Sequence, residues 1–257
     1  MYNQLKSEFY RITKFKSSYI APILITVLIV LSFIMAWFVV RDYGVLSPGS
    51  EYMGRSLVYS SSSNGSLPFF IAILSSIFIA GSFSNGSIKM SLSRGANRIQ
   101  LYSAKLITVS AMAVGLCIFS FIVSGLLSIA LGFGNSLAEF EIMAALGEQV
   151  LIALAYTSLF TFLATLIRST GGAVGASIGI YLFSTLLTTI LTAIGMSTQK
   201  MWLIDLTQCF LTTQLTTATS IPPIENWQLL CVLLVPLAYI VITTGLGMLS
   251  FRKRDIK

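Results

Sequence analysis

The chain has 257 residues, 55% of them hydrophobic and only 10% charged. Soluble domains carry about 25% charged residues, so this chain lacks the charge to cover a water-facing surface and does not read as a soluble enzyme; its mean hydropathy of +0.86 agrees. Histidine is absent, which excludes His-based triads, zinc–histidine sites and His-ligated haem. Cys117, Cys209 and Cys231 lie far apart, match no metal or redox spacing, and read as small packing residues.

Charges fall in clusters between long apolar runs, each long enough for the roughly 20 residues a helix needs to cross hydrocarbon. Lipid offers backbone groups no partner, so helix is the form such runs take. In chain order, residues 1–18 predict an amphipathic helix in the membrane interface. Tyr2, Leu5, Phe9 and Ile12 recur on one face, while Lys6, Arg11 and Lys14 lie largely off it, towards anionic headgroups; Glu8 adds a charge. Six spans follow, at 19–40, 66–84, 106–132, 149–167, 172–195 and 228–250. The first is too long for a cleavable signal and ends on Trp37, Phe38, Val39 and Val40 instead of small residues. The loop 41–65, with Pro48, Gly49 and serines at 60–63, reads as exposed. The connection before span four holds Glu139, Glu141 and Glu148. Segment 196–227 carries Met201, Trp202, Leu203, Leu206, Phe210 and Leu211 before Pro222-Pro223, and predicts short helices on or dipping into the outer membrane face.

Six spans put both termini on one side. Thirteen of the sixteen basic residues fall there, leaving Arg41, Arg55 and Lys200 opposite; the positive-inside rule makes that side the cytoplasm. Of the acidic residues only Glu8 and Asp255 join them. The net charge of +7 and pI near 9.4 therefore report topology, and no nucleic-acid partner is expected.

Segment 85–105 is the most informative. Asn85-Gly86 breaks the run after span two, Ser87 caps a short helix reaching about Ser93, Gly95 ends it, and a second helix starts near Asn97. Ile88 and Leu92 sit four apart and suit insertion into a groove on a soluble partner. Lys89, Arg94 and Arg98 suit acidic rims or phospholipid headgroups. The plain alternative is an ordinary basic connecting loop.

This segment resembles the cytoplasmic coupling-helix region of the type-2 ABC exporter permeases, the transmembrane subunits of ATP-binding-cassette transporters. Asn85-Gly86-Ser87-Ile88-Lys89 matches the core of that pattern, and Leu92-Ser93, Arg98 and Lys105 follow in order. The ending Phe251-Arg252-Lys253-Arg254-Asp255-Ile256 looks like that family's usual C-terminus. Departures are Ser82 near the position of the usual acidic residue, Ser87 for the commoner Thr and Gly95 for a frequent Pro. The resemblance implies an all-α polytopic fold, one permease domain over 1–257 with an N-terminal interfacial helix. It implies a bacterial plasma-membrane protein that pairs with a second permease copy, identical or not, over two ABC ATPase subunits. Residues Ser87, Ile88, Lys89, Leu92, Arg94 and Arg98 would then couple to the ATPases. The outline is most similar to small permeases that export, or confer immunity to, antimicrobial peptides, lantibiotics or bacitracin-like compounds.

The chain has no Gly-x-x-x-x-Gly-Lys-Ser/Thr loop. It is read as binding no cofactor and as no enzyme itself; ATP and Mg would sit on the partner ATPase. Spans bounded as above contain no Asp, Glu, Lys, Arg or His, which argues against ion-coupled transport and against intramembrane proteases that use His, Asp pairs or metal. Gly171, Gly175 and Gly179 form a small-residue stripe suited to helix packing. Thr185, Thr188, Thr189 and Thr192 form a hydroxyl face that either bonds neighbouring helices and its own carbonyls or lines a translocation path. The competing functions are a non-transporting membrane scaffold or sensor and a nucleotide-independent channel.

Overall fold

The computed structural model describes residues 2–14, 16–42, 58, 66–93, 95, 97–131, 140–217 and 226–253. The described chain is helical: α1 (Tyr2–Thr13), α2 (Lys16–Asp42), α3 (Ser66–Ser84), α4 (Ser87–Ser93), α5 (Arg98–Ala130), α6 (Phe140–Ile167), α7 (Thr170–Thr198), α8 (Met201–Thr207), α9 (Leu211–Thr217) and α10 (Asn226–Lys253). Six of these, α2, α3, α5, α6, α7 and α10, are long and apolar enough to cross a membrane. The fold is that of an all-helical multi-pass membrane protein. Most of loop 41–65, Pro222-Pro223, Glu139 and the tail from Arg254 lie outside the described residues.

One helix start, that of α6, differs from expectation, while α5 starts beside Asn97 as expected; both run through charge for one reason. Helices propagate through charged residues once their backbone bonds are started. Helix α6 begins at Phe140, nine residues before the expected span, and takes Glu141 and Glu148 into the helix. Helix α5 begins at Arg98 and takes Lys105 with it. The spans are therefore not free of ionisable groups: Lys105 and Glu148 both lie within the apolar helices that cross.

Helix α6 is the hub, packing on α3, α5, α7 and α10, while α2 leans on α5. Its inner surface alternates small and aromatic residues. Ala153, Ala155 and Ala164 let neighbours approach, and Tyr156 stacks on Phe160 with ring centroids 5.6 Å apart. Phe33, Leu74, Ile71, Ile152 and Val232 fill the rest of the main core. Without a strong hydrophobic drive between helices in lipid, polar contacts add specificity. Ser76 and Ser177 bond at 2.8 Å between α3 and α7, and Thr243 donates to Ser158 at 2.8 Å between α10 and α6. Pro22 and Pro236 lie inside α2 and α10, where each forgoes one backbone donor. The outward faces carry Ile23, Leu28, Leu31 and Met35 on α2, Leu182, Phe183 and Leu186 on α7, and Leu234, Val241 and Ile242 on α10, as a lipid-facing surface requires.

The last turns of α10 pack tightly on α5. A Cβ built on Gly247 would fall on the Tyr102 hydroxyl, whereas one on Gly245 meets nothing within 4 Å. Gly247→Ala should thus lower stability by about 1–3 kcal/mol through overpacking. Gly245→Ala should be neutral or stabilising by up to about 1 kcal/mol through helix propensity. Melting temperatures of the two variants in detergent test this pair.

Candidate functional site

The site is built where α3 hands the chain to α4 and α5. Helix α3 closes with Asn85 N–H donating to Gly81 O and Gly86 N–H to Phe83 O. Gly86 then adopts φ 67°, a left-handed conformation that only glycine takes without strain. Helix α4 follows, Gly95 turns again at φ 82°, and the Asn97 side chain accepts the Ile99 N–H at 3.2 Å to cap α5.

Beneath α4 lies a small apolar core of Ile88, Leu101, Tyr102 and Phe251. The Phe251 ring sits 6.0 Å from that of Phe83 and 5.9 Å from that of Tyr102, so the end of α10 props up the α4–α5 corner. Arg98 donates to the Arg252 carbonyl at 3.4 Å across the same contact.

A polar network backs this corner from the other side. Lys105 is 3% exposed, and its Nζ meets Glu8 Oε1 at 2.9 Å and Ser82 Oγ at 2.9 Å. Arg11 lies 3.9 Å from the other Glu8 oxygen and donates to Ser82 Oγ at 2.9 Å and Ser87 Oγ at 3.3 Å. The Ser82 hydroxyl donates to Phe78 O, and Ser87 donates to Ser82 O. Every capacity of the Ser82 hydroxyl is used, its proton on a carbonyl and its lone pairs on two cations. Arg11 and Lys105 also lie over the Phe78 ring, 5.2 and 5.5 Å from its centroid. Helix α1 is thereby pinned to α3, α4 and α5.

Several sequence readings need correction here. Ile88 is 1% exposed and anchors α4 inward, so it cannot enter a partner's groove. Ser87 does not cap α4 with its side chain; its hydroxyl turns back to Ser82 and Arg11. Helix α1 keeps Leu5 and Ile12 partly buried and Lys6 and Lys14 exposed, as expected, but it turns Glu8 and part of Arg11 inward and leaves Phe9 outward. Arg98 sits at the corner, half-buried. Lys89 and Leu92 lie on α4 with side chains outside the description, and Arg94 lies outside the described residues. Among the described side chains of α4, Met90 is exposed at 59%, as is Ser93; Ile99, in the first turn of α5, is exposed too. Sequence reasoning missed Met90, Glu8, Arg11, Ser82 and Lys105 as members of one site. One signal was available: Glu8 is the only acidic residue before Asp42.

At the opposite end of α7 the four threonines are brought together. With Thr212, Thr213 and Thr216 of α9 they line an open groove of about 480 Å³, closed by Ala193 and Met196. Thr185, Thr188, Thr189 and Thr192 each donate to a carbonyl of their own helix, so their protons are not given to neighbouring helices. The Thr212 hydroxyl is buried and has no hydrogen-bond partner. Adjoining it along α7, Tyr156, Tyr181, Tyr239, Phe160 and Phe210 surround a smaller cavity of about 180 Å³.

The glycine stripe packs on nothing in the described chain. Gly171, Gly175 and Gly179 are exposed, with no atom within 4 Å of a built Cβ; α7 meets α3 instead through Ala173 and Ser177.

The described residues hold no cluster of three or more metal-ligating side chains. What they define is a polytopic helical membrane protein with a buttressed short helix at one end and a hydroxyl-lined groove at the other. Residues 46–257 match the family described as "Protein of unknown function (DUF2705)", and the chain belongs to that family. No curated protein matches it.

The pair at the corner predicts a specific cycle. Removing one member of a buried pair costs about 3–5 kcal/mol. Glu8→Gln should be the costlier change, because Glu8 faces two cations, whereas Lys105→Met leaves Glu8 beside Arg11. The double variant should lose less than the sum of the singles, measured as unfolding in detergent.

Proposed function

We propose that this chain is the membrane-spanning permease subunit of an ABC exporter. It works as a dimer with a second permease copy over separate ABC ATPase subunits, in a bacterial plasma membrane with both termini cytoplasmic. The observation that carries the reading is α4, a seven-residue helix between two spans that is too short to stand alone. It is held by Ile88, Ser87 and Arg11 on one side and exposes Met90. An anchored, exposed apolar knob suits a cleft on a soluble engine, and anchoring is what lets force pass from α4 into the spans.

Within this reading α1 lies at the cytoplasmic interface, with Tyr10, Lys6 and Lys14 towards headgroups, and α8 and α9 lie at the outer face. The threonine groove is then part of the path, and the cargo is an amphipathic or antimicrobial peptide. ATP and Mg act on the partner chain.

The reading expects an ABC ATPase to be encoded beside this gene and to co-purify with the wild-type chain. Met90→Asp should cut that association by about tenfold or more, since an interface anchor contributes on the order of 1–2 kcal/mol or above. Retained association and retained cargo-stimulated hydrolysis in Met90→Asp would remove α4 as the docking element. Thr189→Phe, which fills the groove, should block cargo movement while leaving ATPase association intact.

A further inference from the structure

The hydrogen-bond arithmetic of the groove specifies the chemistry of what enters it. We infer that the threonine groove binds an ammonium-bearing amphipath, an apolar chain carrying N–H donors; this deepens the proposed path by naming the class of its cargo. A threonine hydroxyl has one proton and two lone pairs. In Thr185, Thr188, Thr189 and Thr192 the proton is spent on the helix's own carbonyl. What these side chains retain is acceptor capacity and methyl groups. Thr212 adds a buried hydroxyl with no partner, a polar atom that only a ligand or water in the groove can satisfy.

Two further features agree in sign. None of the nine lining residues among those described is charged, so none of these side chains repels a cation. Met196 lies in the last turn of α7 and Thr216 in the last turn of α9, where the negative end of the helix dipole favours positive charge. Acceptors, methyls and two helix C-termini together complement a cation on an apolar stem and disfavour an anion.

The test uses the full-length chain in nanodiscs of zwitterionic phosphatidylcholine and three probes: octylammonium, octyltrimethylammonium and octyl sulfate. Calorimetry should rank octylammonium above octyltrimethylammonium, which keeps the charge and lacks the donors, and place octyl sulfate last. A hydrogen bond to a charged donor is worth about tenfold or more in affinity. Thr189→Val with Thr192→Val, and separately Thr212→Val, should each lower octylammonium affinity by about that factor while leaving octyl sulfate unchanged. Valine keeps the shape; at Thr189 and Thr192 the lost proton served only the helix itself, and at Thr212 it had no partner. Equal binding of the ammonium and the sulfate, or undiminished octylammonium binding by both sets of valine variants, overturns the inference; so does a groove covered by a second copy of the chain that excludes all three probes. The measurement needs no ATPase. Valine-sensitive binding without an ATPase partner would sink the exporter reading alone, and an ATPase partner without valine-sensitive binding would sink this one alone.

Discussion

The Glu8–Lys105 pair is the constraint from which the rest of the corner follows. Withdrawing two ions from water costs several kcal/mol each, and only close pairing with further hydrogen bonds offsets it. The first condition is met and the second on the cations: the ions touch at 2.9 Å, and Lys105 and Arg11 share the Ser82 oxygen, while the other Glu8 oxygen is buried without a hydrogen bond, 3.9 Å from Arg11. Helix α1 therefore cannot lift away without stranding Lys105 inside the bundle. Twelve residues form a marginal helix in water; here the pair makes α1 a structural member. A buried ion pair is weak evidence of added stability but fits a role in fixing one arrangement among several.

That arrangement sets the angle of α4. Arg11 reaches Ser82 at the end of α3 and Ser87 at the start of α4, bridging the Gly86 turn with one planar guanidinium. On the far side Ile88 sinks between Tyr102 and Phe251. The turn is held from two directions, so a load on Met90 meets the spans instead of a loose loop. The spans are tied in turn: the Ser76–Ser177 bond joins α3 to α7, the helix whose other half forms the groove.

How much of this was readable depended on range. The spans were legible because a long apolar run has one solution in lipid. The Asn85-Gly86 break, the Gly95 turn and the Asn97 cap were legible because they are local backbone chemistry. The facing of α1 was not. Its apolar spacing suggested burial of Phe9, yet the decisive partner of Glu8 lies 97 residues away, and no pattern within twelve residues encodes it. Ser82 shows the same lesson from another angle. No acid stands near the end of α3 where the family resemblance leads one to expect it; α1 supplies one in space. The glycine stripe was read from spacing alone. Residues two apart on a helix point about 200° apart, so Ala173 and Ser177 face α3 and the glycines face away.

Helix α7 carries the strongest argument that its surface does more than meet lipid. Only 11% of its span is buried, against 61% for α3, so most of its surface is open. Hydrocarbon is met as well by leucine, and on its outer flank α7 uses Leu182 and Leu186 for that purpose. Threonine there would gain nothing, yet four of them turn to one side, opposite three more on α9. Bonding each α7 hydroxyl to its own helix removes most of the cost of placing them at membrane depth and leaves their oxygens available. A face that is tolerated by lipid yet retains acceptors can be wetted or filled without rearranging its side chains. That is the property required of a wall along which a polar, partly apolar molecule passes.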